Sequence, residues 1–149
     1  MRKLKVFIDG SCANVFNKEK AKGGWGFIIT DESLKIIHKD YGKLRPGNQN
    51  STRAELEALN KSLIAIKKYN YKNKFDIYCD NETVVNGVNG FNQRKANRDI
   101  WKDIELLCIL LSNRVKIHHI KGHRDYSTLN IMHNKVDELA KAGANSLLK

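Results

Sequence analysis

The 149 residues include a single proline, Pro46, and only three cysteines. Cys12, Cys79 and Cys108 are odd in number, widely spaced and in no CxxC pair, which excludes a disulfide scaffold and points to free thiols in a reducing compartment. No stretch approaches the roughly 18 apolar residues of a spanning helix. The start, Met1-Arg2-Lys3-Leu4-Lys5, lacks the apolar core of a signal peptide, so an intracellular, cytoplasmic protein is expected. Two glycosylation-like triplets, Asn50-Ser51-Thr52 and Asn81-Glu82-Thr83, are then chance matches. Internal repeats, low-complexity tracts and linkers are absent, and one domain spanning 1–149 is expected. His123-Arg124-Asp125 with Asn130 imitates a kinase catalytic loop, but there is no Gly-rich nucleotide loop and no Asp-Phe-Gly. Ser11 and His123 lack a nucleophile elbow, and His118, His119, His123 and Cys108 lack the paired spacing of a zinc site.

Positive charge, by contrast, is abundant. Lys and Arg number 27 against 16 acidic residues, a formal net charge of +11, which favours a polyanionic partner such as nucleic acid or an anionic membrane. A hydrophobic content of 41% is enough for a real core.

The chain is organised around Val6-Phe7-Ile8-Asp9-Gly10-Ser11. Lys3 to Ile8 has the β-branched and aromatic content of a strand, and its three consecutive apolar residues suit a central strand covered on both faces. Asp9 follows at the strand end, before a glycine turn; it is either turn chemistry or an acid that needs a positive partner. After a polar loop from Cys12 to Lys22, Trp25 to Thr30 reads as a strand, Asp31-Glu32-Ser33 as a tight turn, and Leu34 to Tyr41 as the antiparallel return.

A helix is expected from about Thr52 to Lys68, opened by the capping box Thr52-Arg53-Ala54-Glu55, with Leu56, Leu59, Leu63 and Ile66 as its buried stripe. Glu55 lies at the rim of that stripe, and Glu57 is expected to face water. The capping box is the structural explanation of Glu55. Phe75 to Cys79 forms the next strand, with Asp80 at its end before a short helix over Asn81 to Asn86; Asp80 is an N-cap or a ligand-facing acid at the carboxyl end of a parallel strand. A polar connector, Asn89 to Asn97, precedes a helix over Arg98 to Asn113 carrying Ile100, Trp101, Ile104, Leu107, Cys108 and Leu111 on one side; Trp101 and Cys108 read as core. Val115 to Ile120 is the last strand, Gly122 to Asn130 a loop, and Ile131 to Leu147 the last helix, burying Val136, Leu139, Ala140, Gly143 and Leu147. Asp137 flanks this buried stripe, while Glu138 lies nearly opposite it.

Four acids, Asp9, Glu55, Asp80 and Asp137, thus sit at strand ends or inward helix edges of a basic chain. Like charges brought together oppose one another unless they share a cation, and oxygen-only ligation suits magnesium or manganese over zinc.

The order of Asp9 in IDGS, Glu55 in TRAELEAL, Asp80 in YCDN, His123 in KGH and Asp137 in VDELAKAGA resembles ribonuclease H type 1 over nearly the whole chain. The resemblance implies an α/β fold with a mixed five-stranded sheet, three antiparallel strands and then parallel ones, flanked by helices. It implies an endonuclease that hydrolyses the RNA strand of an RNA:DNA hybrid, leaving 5′-phosphate and 3′-hydroxyl ends. Two Mg2+ ions, with Mn2+ as a substitute, would be held by Asp9, Glu55, Asp80 and Asp137, and a monomer with no membrane partner is expected. His123 resembles the family's mobile histidine, which assists proton transfer or product release; otherwise it is solvated surface. Gly10, Ser11, Cys12, Asn14, Asn50 and Ser51 are the implied contacts for telling RNA from DNA. Asn97 resembles a DNA-phosphate contact and Trp101 the aromatic at the start of the same helix. The basic handle of many bacterial relatives is missing, leaving Gln93-Arg94-Lys95, so hybrid affinity rests on dispersed lysines, rests on a partner domain, or is weak. The alternatives are an integrase-like nuclease, an inactive hybrid-binding module, or the detached ribonuclease H part of a reverse transcriptase.

Overall fold

The computed structural model describes residues 3–14, 16–69, 72–90, 95–111, 113–120 and 128–145. Five strands and four helices follow in the order β1 (Lys3–Ala13), β2 (Lys22–Thr30), β3 (Ile36–Lys43), α1 (Ser51–Lys68), β4 (Lys74–Cys79), α2 (Glu82–Val88), α3 (Arg98–Leu110), β5 (Val115–His119) and α4 (Thr128–Ala144). The strands form one sheet in the order β3-β2-β1-β4-β5. β1 pairs antiparallel with β2 and β2 with β3, whereas β1 with β4 and β4 with β5 are parallel. The expected mixed sheet is therefore present, with the apolar first strand at its centre.

β1 is longer than the expected strand and does not turn after Asp9. Its antiparallel pairing continues from Asp9 opposite Gly26 to Ala13 opposite Lys22, so β2 satisfies the backbone through and beyond Gly10. The parallel pairing with β4 stops earlier, at Phe7 opposite Tyr78. Beyond Phe7, β1 has no strand partner on that side, which leaves a notch in the strand pairing at the carboxyl end of β4.

Two apolar layers hold the sheet. On one face Leu4, Val6, Ile8 and Ile77 pack with Leu56, Leu59, Leu63 and Ile66 of α1 and with Ile100, Trp101 and Ile104 of α3. Each such buried Leu or Ile contributes roughly 1.5–3 kcal/mol relative to an exposed one. On the other face Phe7 and Ile28 meet Met132 and Val136 of α4. That helix lies close because β2 carries glycine where they cross: a Cβ on Gly24 would collide with the backbone of Ala140 and Ala144.

Helix boundaries differ from expectation for local reasons. Asn50, not Thr52, caps α1: its side chain accepts the Arg53 N–H at 2.9 Å, and Asn ranks at least level with Thr as an N-cap. Asn81 likewise caps α2 through the Val84 N–H at 3.2 Å. Neither Glu55 nor Asp80 is occupied in capping. α4 begins at Thr128, inside the stretch expected to be loop. Leu147, expected in its buried stripe, lies outside the described residues.

Candidate active site

Asp9 is placed by β1 at the notch and is 4% exposed. Glu55, on the first turns of α1, is 5% exposed. The two elements touch through main chain, since a Cβ on Gly10 would collide with the backbone of Ala54 and Glu55. Asp80 follows the end of β4 and remains partly accessible, as does Asp137 on α4. Asp9 acts electrostatically on Glu55 and is itself acted on by Asp80 and Asp137, and Asp80 acts on Glu55 as well. All four acids singled out from the sequence therefore converge on one place.

Their electrostatics follow from that convergence. Burial, reinforced by Asp137 and Asp80, pushes the pKa of Asp9 up to about 7, against the opposing pull of the Glu55 hydrogen bond and of His133. Burial and the neighbouring Asp9 and Asp80 raise Glu55 well above the carboxylate range. Cys79, fully buried below them, donates from Sγ to Glu55 Oε2 at 3.5 Å, and burial together with Glu55 pushes its thiol pKa up. Such a cluster calls for external positive charge.

Among the described residues, two basic side chains reach the cluster. Lys141 Nζ lies 3.0 Å from Asp137 Oδ2, one turn along α4, with its side chain largely in solvent. His133 is 0% exposed, with Nε2 3.0 Å from Asp80 Oδ2 and 4.0 Å from Asp9 Oδ2. Burial opposes charge on this ring, but the hydrogen bond to Asp80 and the charges of Asp9, Asp80 and Asp137 prevail and raise its pKa. His133 escaped the sequence reading. The signal was available, because it stands four residues before Asp137, on the face that carries Val136 and Ala140.

Two sets of side chains present ligand atoms within 4.8 Å of one another: Asp9, Asp80 and His133, and Glu55, Cys79 and Asp80. Asp80 belongs to both. These groups can hold divalent cations, with carboxylate oxygen as the principal donor.

Glu57 corrects an expectation. It does not face water but is 1% exposed, with Arg45 Nε donating to Oε2 at 2.6 Å and Nη2 to Oε1 at 2.9 Å. Arg45 also reaches Asp103 on α3 at 3.0 Å, so the segment before α1 supplies the cation that closes this side of the helix.

The residues implied as substrate contacts are distributed around the notch. Gly10, Ser11 and Cys12 lie on the part of β1 beyond its pairing with β4, and Cys12 Sγ donates to the Gln49 carbonyl at 3.2 Å. Asn14 adopts a left-handed backbone and donates to the Lys20 carbonyl at 3.3 Å. Asn50 caps α1 and Ser51 begins it. Asn97 is left-handed at the start of α3, its Oδ1 3.4 Å from Arg53 Nη1. Buried Arg53 makes paired 2.8 Å bonds to Asp99, which its guanidinium holds down to a pKa of about 2. Trp101 is buried, its ring against Gly87. Gln49, not singled out from the sequence, ties the segment before α1 to β2 by accepting the Gly23 N–H at 2.8 Å. His123 and Arg94 lie outside the described residues.

Comparison with known proteins gives concordant results. The family model for RNase H matches residues 1–145. A ribonuclease H of Caldicellulosiruptor saccharolyticus is 28% identical over 95% of this chain and 96% of its own, and one of Chlorobium phaeovibrioides is 30% identical over 94% of each. LC11-RNase H1, isolated from compost by a metagenomic approach, superposes with a TM-score of 0.76 at 20% identity over the full length of both chains. The same protein in complex with an RNA/DNA hybrid gives 0.78 at 18% identity, covering 98% of this chain and 99% of that one.

Proposed function

The chain belongs to the RNase H family, and on that premise we propose that it is an endonuclease cutting the RNA strand of RNA:DNA hybrids to 5′-phosphate and 3′-hydroxyl ends. The observation that carries this reading is the meeting of Asp9, Glu55, Asp80 and Asp137, drawn from β1, α1, the end of β4 and α4, within a chain of net charge +11. In this reading the acids receive metal, and the basic exterior receives the phosphate backbone.

The donor set fits Mg2+ or Mn2+: buried Asp9 and Glu55, each raised in pKa by burial and by neighbouring acids, beside the partly accessible Asp80 and Asp137. Asp9, Glu55, Asp80 and Asp137 would hold two such ions, which when bound activate a water and stabilise the leaving 3′-oxygen of a phosphodiester. Asp80 offers a ligand atom to both groups and would hold metal in either. Gly10 to Cys12, with Asn14, Asn50 and Ser51, offer the hydrogen-bonding groups nearest the notch for sensing a 2′-hydroxyl. Asn97 serves the DNA strand, and His123 assists proton transfer or product release. Trp101 contributes by fixing α3 from inside. The protein acts as a monomeric single domain in the cytoplasm.

The test is digestion of labelled hybrid, RNA duplex and DNA duplex with Mg2+, alongside Asp9→Asn. Cutting confined to the hybrid and lost in the variant is the expected result. Retardation of the hybrid without cutting would make the domain a binding module, and cutting or joining of DNA duplex would favour an integrase-like nuclease.

A further inference from the structure

We infer that His133 is a nitrogen ligand to the divalent ion that Asp9 and Asp80 share, so that this site ranks Mn2+ above Mg2+. The inference rests on the metal-site reading above and adds to it a donor of different chemistry. Nε2 of His133 stands 3.0 Å from Asp80 Oδ2 and 4.0 Å from Asp9 Oδ2. Ligand atoms about 2.0–2.2 Å from a common ion stand about 3–4.4 Å apart, and both separations fall in that range. The ring is fully buried and does not reach the acids by chance of a mobile surface side chain. α4 holds it: Met132 and Val136 beside it are buried under the sheet, and the helix is pressed to β2 at Gly24.

An imidazole changes what the site prefers. Mg2+ is hard, takes oxygen donors in near-ideal octahedral geometry and keeps several waters. Mn2+ takes carboxylates as Mg2+ does, but as a first-row transition ion it also belongs to the series Mn2+, Fe2+, Co2+, Ni2+, Cu2+ whose members bind mixed nitrogen and oxygen sites. Carboxylate oxygens alone suit both ions. One nitrogen among them shifts the balance toward Mn2+. A histidine that only held Asp80 through a hydrogen bond would orient a carboxylate without altering the donor set.

The deciding measurement is electron spin-echo modulation of Mn2+ bound to the full-length chain, which reports a directly coordinated 14N. Modulation in the wild type, lost in His133→Asn and retained when His38, His118, His119 and His123 are replaced together, is the expected pattern. In competition binding the Mn2+ affinity should fall in His133→Asn by about tenfold or more, and the Mn2+-to-Mg2+ affinity ratio should fall with it. Bound Mn2+ without 14N modulation overturns the proposal while leaving the metal site standing. Modulation that persists in His133→Asn, or an unchanged affinity ratio, overturns it equally. Absence of Mn2+ binding overturns it together with the reading on which it rests. Should His133→Asn not fold, the fourfold replacement and 15N-histidine labelling of the otherwise native chain make the same distinction.

Discussion

Glu55 and Glu57 stand two residues apart on α1, are 5% and 1% exposed, and meet opposite fates. Burial pushes the pKa of Glu57 up, but the fork of Arg45 and the Asn60 amide outweigh it and leave the carboxyl below its ordinary value. Glu55 meets Asp9 and Asp80 instead, and burial and those acids act in the same direction. Residue type, helix and depth are shared, so none of them separates a structural acid from a functional one. The separation lies in whether the chain itself carries the compensating cation. For Glu57 it does, twelve residues upstream. For the Glu55 cluster only His133 and Lys141 help among the described residues, and its side chains could hold a cation from outside.

The largest way to break this contrast is Asp80→Asn, which removes the residue common to both ligand groups. Hydrolysis of hybrid should fall to background in a gel assay, while thermal unfolding in metal-free buffer stays unchanged or moves upward, because a like charge has been removed. Undiminished cutting would take Asp80 out of the mechanism. Next in size is Arg45→Met, which leaves the Glu57 carboxylate buried without its cation. The expected loss is about 3 kcal/mol in urea unfolding, at the low end for a broken buried pair because Arg45 is partly exposed. A loss below about 1 kcal/mol would mean that Arg45 and Glu57 are no better matched than a surface pair.

Titration should separate the two glutamates by sign. Asp9 and Glu55 have folded pKa values raised above their unfolded ones, so in EDTA the stability they contribute is present at low pH and is lost as pH rises from about 4, for Asp9 through about 7 and for Glu55 through its own raised value. His133, also raised, acts in the same direction: its contribution is full below its unfolded value and disappears as pH passes the folded one. Glu57, lowered, contributes stability above its unfolded value that is lost as pH falls through its folded value. Melting temperature against pH should therefore decline across the neutral range without metal, and saturating Mn2+ should flatten the decline. A flat profile in EDTA would contradict the carboxylate convergence. The smallest effect concerns capping: Asn50→Ala should cost about 1 kcal/mol, and Thr52→Ala distinctly less. The reverse order would return Glu55 to a capping box.

Much of this was legible before any coordinates. The apolar run Val6 to Ile8, the strand–turn–strand that follows and the Leu56, Leu59, Leu63, Ile66 stripe carry strong periodicity, and all lie where expected. Asp9, Glu55, Asp80 and Asp137 were legible as inward acids because helix phase and strand ends are local properties. Glu57 was not, since its burial depends on Arg45, and no periodicity of α1 announces a partner from another segment. The continuation of β1 past Gly10 was hidden for a similar reason: it is decided by β2 alongside, not by residues 9–13 themselves. His133 was legible in principle from its phase with Asp137, but its significance needs Asp80, which arrives from β4.

The contact of Gly10 with the Ala54–Glu55 backbone fixes the dimensions of the acid cluster. Because strand and helix rest on each other through main chain, the gap between the Asp9 and Glu55 carboxyl groups is set by two backbones rather than by the rotamers of bulky neighbours. Substitutions deeper in the hydrophobic layer should then loosen the molecule well before they detune its chemistry. A single methyl at position 10 should do the opposite, spreading the ligand set while most of the fold endures.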